Sequence, residues 1–176
     1  MQAQAFRLVE QSGYPVVMGF EFYPVVTLGK RANIQKEIPA GIDDLEALGI
    51  NLVQTDRGGL ATLHSPGQLV IYPLVPIRKL KISVRDYVNL LEESTILWLK
   101  KYGIQTGRNE DAGVFTDKGK IAFVGIRVEK GITRHGISIN ISNDLNLFRH
   151  IRSCGTMERN LDSFEAHSLS LDLRQA

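Results

Sequence analysis

Four short segments of the chain combine reactive or charged side chains with glycine, a pattern expected where a backbone approaches a ligand. The segments are 57–68, 119–127, 135–140 and 151–155. The last holds Cys154, the single cysteine in 176 residues, which excludes an intrachain disulfide and a thiolate zinc cluster. A free cysteine is usually a small buried hydrophobe, but a thiol in a polar segment followed by glycine is also a candidate nucleophile. Both interpretations stay open on the residues alone.

The segment 57–68 pairs two glycines with Arg57, Thr62 and His64 and leads into an apolar strand at 69–73. It predicts a loop whose backbone approaches a ligand, although Gly-Gly surface turns are common. It matches neither a P-loop nor a dinucleotide-binding fingerprint. The segment therefore argues against an enzyme that uses nucleotides.

The two middle segments carry polar residues on predicted strands. Lys120 stands at the entry to an apolar strand that contains Gly125, which suggests a bulge or a ligand lying against the backbone. His135 and Asn140 bracket an alternating, half-buried strand as candidate polar contacts. An ordinary hairpin lysine and a structural histidine are the commoner roles for such residues.

The length and composition of the chain indicate what class of protein contains these four segments. With 43% hydrophobic and 23% charged residues the chain has a globular composition, and 176 residues predict a single domain, 1–176. A net charge of +2 gives no electrostatic case for nucleic acid or an anionic membrane. No secretory signal is visible and the apolar runs are too short to span a bilayer, which predicts a cytoplasmic protein without a membrane anchor.

The elements that must position the four segments follow from hydrophobic periodicity. Ala3, Phe6 and Val9, with Ala5, predict a helix that ends at Gly13, and 84–102 predicts an amphipathic helix stopped by Gly103. Strands are predicted in 14–28 on both sides of a bend at Tyr23-Pro24, and at 51–55, 113–116, 121–128 and 132–141, the last three as antiparallel hairpins. The fold class predicted is α+β, with a mostly antiparallel or mixed sheet packed with helices.

Taken in order, the four segments resemble the octanoyltransferases of lipoate biosynthesis, the lipoate-protein ligase B family. The matching motifs are Arg-Gly-Gly-x-x-Thr-x-His-x-Pro-Gly-Gln at 57–68, Lys-Ile-Ala-x-x-Gly-Ile-Arg at 120–127, His-Gly-x-x-x-Asn at 135–140 and Cys-Gly at 154–155. Each motif is weak alone, but four in one order are specific. The resemblance covers about 23–155 and leaves the last 21 residues (176 − 155) unassigned.

The resemblance implies a fold like that of biotin and lipoate ligases and a transfer of octanoyl from acyl carrier protein to a lysine of a lipoyl domain. Acceptors would be the lipoyl domains of 2-oxoacid dehydrogenases and the glycine cleavage H protein, with no cofactor and no metal. Cys154 would be the nucleophile and Lys120 its charge partner. The acyl pocket would be lined by Arg57, Gly58, Gly59, Leu60, Ala61, Thr62, Leu63, His64, Phe123, Val124, Gly125, Gly136, Ile137 and Ser138.

The chain departs from the family pattern at four positions. Leu60, Leu63 and Ser65 replace the usual Gln, Tyr and Gly of the first motif, and Ser153 replaces the usual Pro. Cys154 is intact, as are Lys120 and His64, so the departures bear on chain-length preference more than on the chemistry.

The implied chemistry is physically reasonable. Half-ionising a thiol of pKa ~8.5 at neutral pH costs about 2 kcal/mol, and an ammonium ~4 Å away supplies up to ~4 kcal/mol at an effective dielectric constant near 20 before desolvation is subtracted. Three rival functions stay open: a cysteine thioester hydrolase that uses His150, an ATP-dependent lipoate or biotin ligase, and a non-catalytic binding module, with metal binding by His64, His135 or His150 as a variant of the last.

Overall fold

The computed structural model describes residues 1–39, 41–152 and 160–173, so the predicted nucleophile Cys154 and the departure at Ser153 lie outside the described residues. Within these residues the chain forms four helices and eight strands, with 3-10 turns at Leu145–His150 and Glu165–His167. In chain order the elements are α1 (Gln2–Ser12), β1 (Val16–Phe20), β2 (Val25–Leu28), α2 (Ile34–Glu37), α3 (Ile42–Ala47), β3 (Asn51–Gln54), β4 (Ala61–His64), β5 (Gln68–Leu74), α4 (Val84–Lys100), β6 (Gly113–Phe115), β7 (Lys120–Glu129) and β8 (Ile132–Asn140).

The strands form two sheets. A five-stranded sheet has the order β1-β5-β8-β7-β6 and is antiparallel throughout. A three-stranded sheet has the order β3-β2-β4, in which β2 pairs parallel with β3 and antiparallel with β4. The predicted α+β class with antiparallel and mixed sheets is confirmed, as are the hairpins that join β6, β7 and β8.

Helix α4 covers one face of the large sheet. Ser83 caps it by accepting a hydrogen bond from the Asp86 amide at 3.0 Å, which satisfies one of the unpaired amides at a helix start. Tyr87, Leu91, Thr95 and Leu99 are buried, in a core that includes Ile137 and Ile139 of β8. The sequence predicts one helix face formed by Val84, Tyr87, Val88, Leu91, Thr95, Trp98 and Leu99. All of these are buried or partly buried except Val84, which is 50% exposed in the first turn.

Helix α1 begins at Gln2 and ends where the sequence predicts. Gly13 adopts φ +70, the left-handed conformation that closes a helix. Ala5, Phe6 and Val9 are buried, whereas Ala3 is exposed. No helix among residues 1–39, 41–152 and 160–173 is long and apolar enough to cross a membrane.

The small sheet has its own core with two helices that the sequence analysis missed. Helices α2 and α3 span four and six residues, too short for a helical period to be visible. Leu45 of α3 packs with Val26 and Leu63 of the sheet, and the same cluster reaches Phe123 of β7. Phe123 stacks on Phe148 with ring centroids 5.5 Å apart, so this core joins the two sheets.

The segment 57–68 is predicted as one loop, but the structure divides it. Its middle third, Ala61–His64, forms β4, in which Leu63 pairs opposite Val26 and is fully buried. Only 57–60 remains a loop, and a turn at Gly67, with φ +85, leads into β5. The motif therefore supplies one loop and one strand to the molecule.

Residues 160–164, which the sequence analysis left unassigned, complete the fold beside β7. The Lys120 amide donates to the Asn160 carbonyl at 2.9 Å and the Asp162 amide donates to the Lys120 carbonyl at 3.0 Å. Phe164 is fully buried and stacks on Trp98 of α4 at 5.5 Å. The segment thus fixes the backbone of Lys120 and closes the core under α4.

Candidate active site

A cavity lies where β4 and the loop 57–60 face β5, β7 and β8. Thirteen of the residues predicted from the sequence line it: Arg57, Gly59, Leu60, Ala61, Thr62, His64, Lys120, Phe123, Val124, Gly125, Gly136, Ile137 and Ser138. Residues separated by up to 81 positions (138 − 57) therefore meet at one place. Whether they bind a substrate stays a prediction.

Two of the predicted pocket residues lie elsewhere. Leu63 is fully buried in the core of the small sheet, in the cluster that contains Val26 and Leu45. Gly58 supports the wall from behind, with its amide donating to the Ile126 carbonyl at 2.9 Å. Cys154 lies outside the described residues, so its distance to Lys120 stays untested.

Three wall residues were missed as pocket residues by the sequence analysis: Val70, Tyr72 and His135. Val70 and Tyr72 belong to β5, which was interpreted only as an anchoring strand for the preceding motif. His135 was named as a polar contact but was not placed in the pocket. The register of β5 against β8 brings Val70 and Tyr72 to the cavity. The order of the motifs along the sequence does not reveal this register.

Lys120 presents a buried ammonium at the cavity. The residue is 1% exposed, and its Nζ donates to the Ala112 carbonyl at 2.7 Å. The Phe115 and Phe123 rings lie 5.1 and 5.0 Å from Nζ, within range of a cation–π attraction. A cation held this way is positioned to stabilise a nearby anion more strongly than an exposed lysine could, since little water screens it.

Arg57 fixes the loop 57–60 against β2 and is 7% exposed. Its Nη2 donates to the carbonyl and, at 2.9 Å, to the hydroxyl of Thr27, while Nη1 donates to the Gly58 carbonyl at 3.0 Å. A Cβ on Gly125 would lie 3.2 Å from Arg57 Cδ, so glycine permits the close approach of β7 to this side chain.

His64 belongs to a buried hydrogen-bond chain. His64 Nδ1 donates to Gln68 Oε1 at 2.7 Å, Gln68 Nε2 donates to Asn140 Oδ1 at 2.9 Å, and Asn140 Nδ2 donates to the Asp162 carbonyl at 3.0 Å. This orientation assigns the Nδ1–H tautomer and leaves Nε2 as an acceptor. Burial lowers the pKa of His64 to about 4, against the hydrogen bond to Gln68, so the imidazole is neutral at pH 7.

The depressed pKa of His64 makes protein stability sensitive to acid. Protonation favours the unfolded chain, where the pKa is ordinary, so this stabilisation is complete above about pH 6.5 and is lost as the pH falls toward the folded value of about 4. Between pH 7 and about pH 4.5 the wild type should lose about 2 to 3 kcal/mol more unfolding free energy than His64→Gln. Denaturant unfolding of both proteins at the two pH values measures this difference. Equal losses in His64→Gln and wild type would contradict the prediction.

His135 and Asp56 form a second polar pair at the cavity. His135 Nε2 lies 2.6 Å from Asp56 Oδ1, and the imidazole meets the Tyr72 ring edge-on at 5.6 Å. His135 has φ +58, a left-handed conformation that is uncommon for a non-glycine residue. Asp56 Oδ2 also accepts from Arg134 Nη1 at 2.8 Å.

Gly136 allows β5 and β8 to pack at the cavity wall. A Cβ at this position would lie 2.2 Å from the Ile71 carbonyl oxygen and 2.8 Å from Pro73 Cδ. Gly136→Ala should therefore lower the unfolding free energy by about 3 kcal/mol, because backbone atoms must move apart. Gly19→Ala is the matched control, since a Cβ there meets nothing within 4 Å. Chemical denaturation of both variants checks this, and equal stability would contradict it.

Two rival roles for histidine, a hydrolase base at His150 and a metal ligand, depend on local geometry. The 3-10 turn ends at His150, and Ile151 is extended with φ −130, so no helix continues from His150 through Ile151. Among residues 1–39, 41–152 and 160–173, no group of three His, Cys, Asp or Glu side chains is arranged to hold a metal ion.

The two sheets around this cavity define a protein of the lipoate and biotin protein ligase fold. Lipoate-protein ligase A bound with ATP superposes with a TM-score of 0.76 at 15% identity, covering 99% of this chain and 74% of that one. The biotin protein ligase from Aquifex aeolicus in complex with biotin and ATP superposes with a TM-score of 0.52 at 15% identity, covering 88% of this chain and 65% of that one. At these identities the likeness shows the fold alone.

The chain belongs to the family described as the lipoyl protein ligase A/B catalytic domain, whose model matches residues 1–171. It is 35% identical over 156 residues to an octanoyltransferase of Desulfovibrio desulfuricans, covering 88% of this chain and 65% of that protein. It is 43% identical over 136 residues to an octanoyltransferase of Xanthomonas euvesicatoria, covering 77% and 56%. The chain thus spans less than two thirds of these relatives. The family match also extends beyond 23–155 to include α1 and residues 160–171.

Proposed function

We propose that this chain transfers an octanoyl group from acyl carrier protein to the target lysine of lipoyl domains, through a thioester on Cys154. The observation that carries the proposal is the buried Lys120 ammonium on the wall of a cavity that also collects residues of 57–64, 123–125 and 136–138. The similarity to two octanoyltransferases supports the acyl group and the type of transfer.

In the first half-reaction the Cys154 thiolate attacks the thioester carbonyl of the carrier. The carbon–sulfur bond to the carrier breaks and its thiolate leaves. A free thiol is only a few per cent ionised at pH 7, so the reaction needs a cation close to the sulfur. Lys120 is the group proposed for this role, because a buried ammonium gives a large electrostatic stabilisation.

The wall of the cavity suits an acyl chain. Leu60, Ala61, Phe123, Val124 and Ile137 supply apolar surface. Burying about seven methylene and methyl carbons at ~0.8 kcal/mol each would stabilise the bound chain by ~5 to 6 kcal/mol. Backbone amides of 154–155 are candidates to stabilise the oxyanion, together with the buried hydroxyl of Thr62, which has no hydrogen-bond partner among the described residues.

In the second half-reaction the lysine amine of the acceptor attacks the enzyme thioester and forms an amide. A thioester is already activated, so its conversion to an amide runs downhill without ATP. This agrees with the absence of a P-loop from the sequence. Acceptors of this kind are the lipoyl domains of 2-oxoacid dehydrogenases and the glycine cleavage H protein.

Mass spectrometry of an acceptor lipoyl domain tests the proposed reaction against its rivals. Incubation with octanoyl-carrier and no ATP should add one octanoyl group to the acceptor lysine. Modification that requires free octanoate and ATP would instead show a ligase. Release of free octanoate faster than modification of the acceptor would show a thioester hydrolase, and no reaction of either kind would leave a binding module.

A further inference from the structure

His135 is a titratable group at the cavity that the proposed mechanism does not yet use. His135 lines the cavity from β8, together with Gly136, Ile137 and Ser138. The left-handed φ of +58 at His135 interrupts the regular strand geometry at this point. Such strain persists where the surrounding structure holds it, and it is concentrated at functional sites.

Asp56 orients the imidazole. Its Oδ1 accepts from His135 Nε2–H at 2.6 Å, while Oδ2 is held by Arg134 at 2.8 Å and lies 3.4 Å from Arg127 Nε. Nδ1 is therefore the nitrogen with the free lone pair, and it has no hydrogen-bond partner within the described part of the chain. A carboxylate on one imidazole nitrogen both fixes the tautomer and stabilises the imidazolium that forms when the other takes a proton.

The charges around this pair keep His135 neutral at pH 7 and Asp56 ionised. Burial lowers the pKa of His135, the hydrogen bond and charge of Asp56 oppose this, and Arg134 and Arg57 lower the pKa further. Burial raises the pKa of Asp56, but the hydrogen bond to His135 and the guanidinium groups of Arg134 and Arg127 outweigh it and hold that pKa below its usual value. Asp56 is thus ionised at pH 7.

The second imidazole at the cavity, His64, has no carboxylate as its hydrogen-bond partner. His64 donates to the neutral amide of Gln68 instead of a carboxylate, and the pKa of His64 is about 4. An imidazolium formed at His64 would have no anion against it among its hydrogen-bond partners. Of these two histidines, His135 is the one built to accept a proton.

The proposed second half-reaction needs a base. The acceptor lysine arrives as an ammonium, and with a pKa of ~10.4 fewer than about one molecule in 10³ is a free amine at pH 7. Resting on the proposed function, we infer that His135, positioned by Asp56, takes a proton from the acceptor ammonium at Nδ1 and so generates the amine that attacks the thioester.

The ammonium N–H bond breaks and the proton passes to His135 and then to water. The amine nitrogen bonds to the acyl carbon and loses its second proton to water. The carbon–sulfur bond to Cys154 breaks, and its electron pair returns to the sulfur as thiolate.

Separate measurement of the two half-reactions tests the role of His135. His135→Asn removes the base with a residue that tolerates a left-handed backbone. Formation of octanoyl-enzyme, followed by intact mass, should stay within about twofold of wild type, while transfer to the lipoyl domain at pH 7 should fall about 10²-fold. The deficit should shrink as the pH is raised, because the acceptor then loses its own proton. Asp56→Asn should give a smaller loss in the same half-reaction.

Cleavage of octanoyl-enzyme by hydroxylamine distinguishes a base from a merely structural residue. Structural damage at the site would slow this cleavage, whereas loss of the base alone would not. Hydroxylamine is uncharged at neutral pH and needs no base, so it should cleave octanoyl-enzyme equally in His135→Asn and wild type. His167→Gln is the matched control, because its Nε2 also pairs with a carboxylate, Asp162, at 2.7 Å, yet it does not line the cavity. Equal losses in both half-reactions, or a loss with hydroxylamine, would overturn the inference. If wild type forms no octanoyl-enzyme, the proposed function fails, and this inference fails with it.

Discussion

Cys154→Ala is expected to abolish octanoyl transfer, lowering the rate by about 10³-fold or more. The proposed route passes through a covalent thioester, and alanine offers no atom to carry the acyl group. Cys154 is the only cysteine in the chain, so no second thiol can take over. The expected observation is the loss of the octanoyl adduct from the intact mass of the enzyme together with the loss of acceptor modification.

Cys154→Ser is the matched companion to this variant. It keeps the shape of the side chain and an oxygen nucleophile, but a hydroxyl is far less ionised than a thiol at neutral pH, so slow transfer at best is expected. Unchanged unfolding curves for both variants would show that the fold is intact. An octanoyl adduct that persists in Cys154→Ala would contradict the nucleophile assignment.

Hydrophobic periodicity in the sequence predicted most of the helices and strands of the fold. The large helix and the hairpins of β6, β7 and β8 were predictable because their patterns are long and their turns contain glycine. The short helices α2 and α3 were not, since four and six residues hold less than two helical turns. Strand β4 was hidden inside a glycine-rich motif, where a polar Thr62 and His64 alternate with buried Ala61 and Leu63.

The predicted pocket is what the family resemblance implies, and the resemblance supplies no distances. What the motifs could not supply is pairing across long separations: Asp56 meets His135 79 positions away, and Gln68 meets Asn140 72 positions away. These contacts depend on the register of β5 against β8 and on the return of loop 57–60 to β7. For the same reason Tyr72 and Val70 were missed as wall residues.

Lys120→Met is expected to slow octanoyl-enzyme formation, because it should reduce the ionisation of the Cys154 thiol at pH 7. In Lys120→Met a long apolar side chain replaces the ammonium between the Phe115 and Phe123 rings, where a thioether also packs favourably. If Lys120 is the charge partner proposed for Cys154, its loss should return the pKa of the thiol to the ordinary ~8.5. The rate of octanoyl-enzyme formation at pH 7 should therefore fall about 10- to 100-fold and recover as the pH is raised past 9.

Alkylation of the single thiol by iodoacetamide follows the same ionisation without any acyl substrate. The pH midpoint of alkylation should lie below ~8.5 in wild type and move upward in Lys120→Met. Lys118→Met is the matched control: this lysine is exposed and donates to the Ala166 carbonyl, so removing its charge should leave the midpoint unchanged. Equal midpoints in wild type and Lys120→Met would show that Lys120 does not set the charge on Cys154. The loss of octanoyl transfer in that variant would then have to arise from packing at the cavity wall, because a buried cation that leaves the thiol unaffected cannot act as its electrostatic partner.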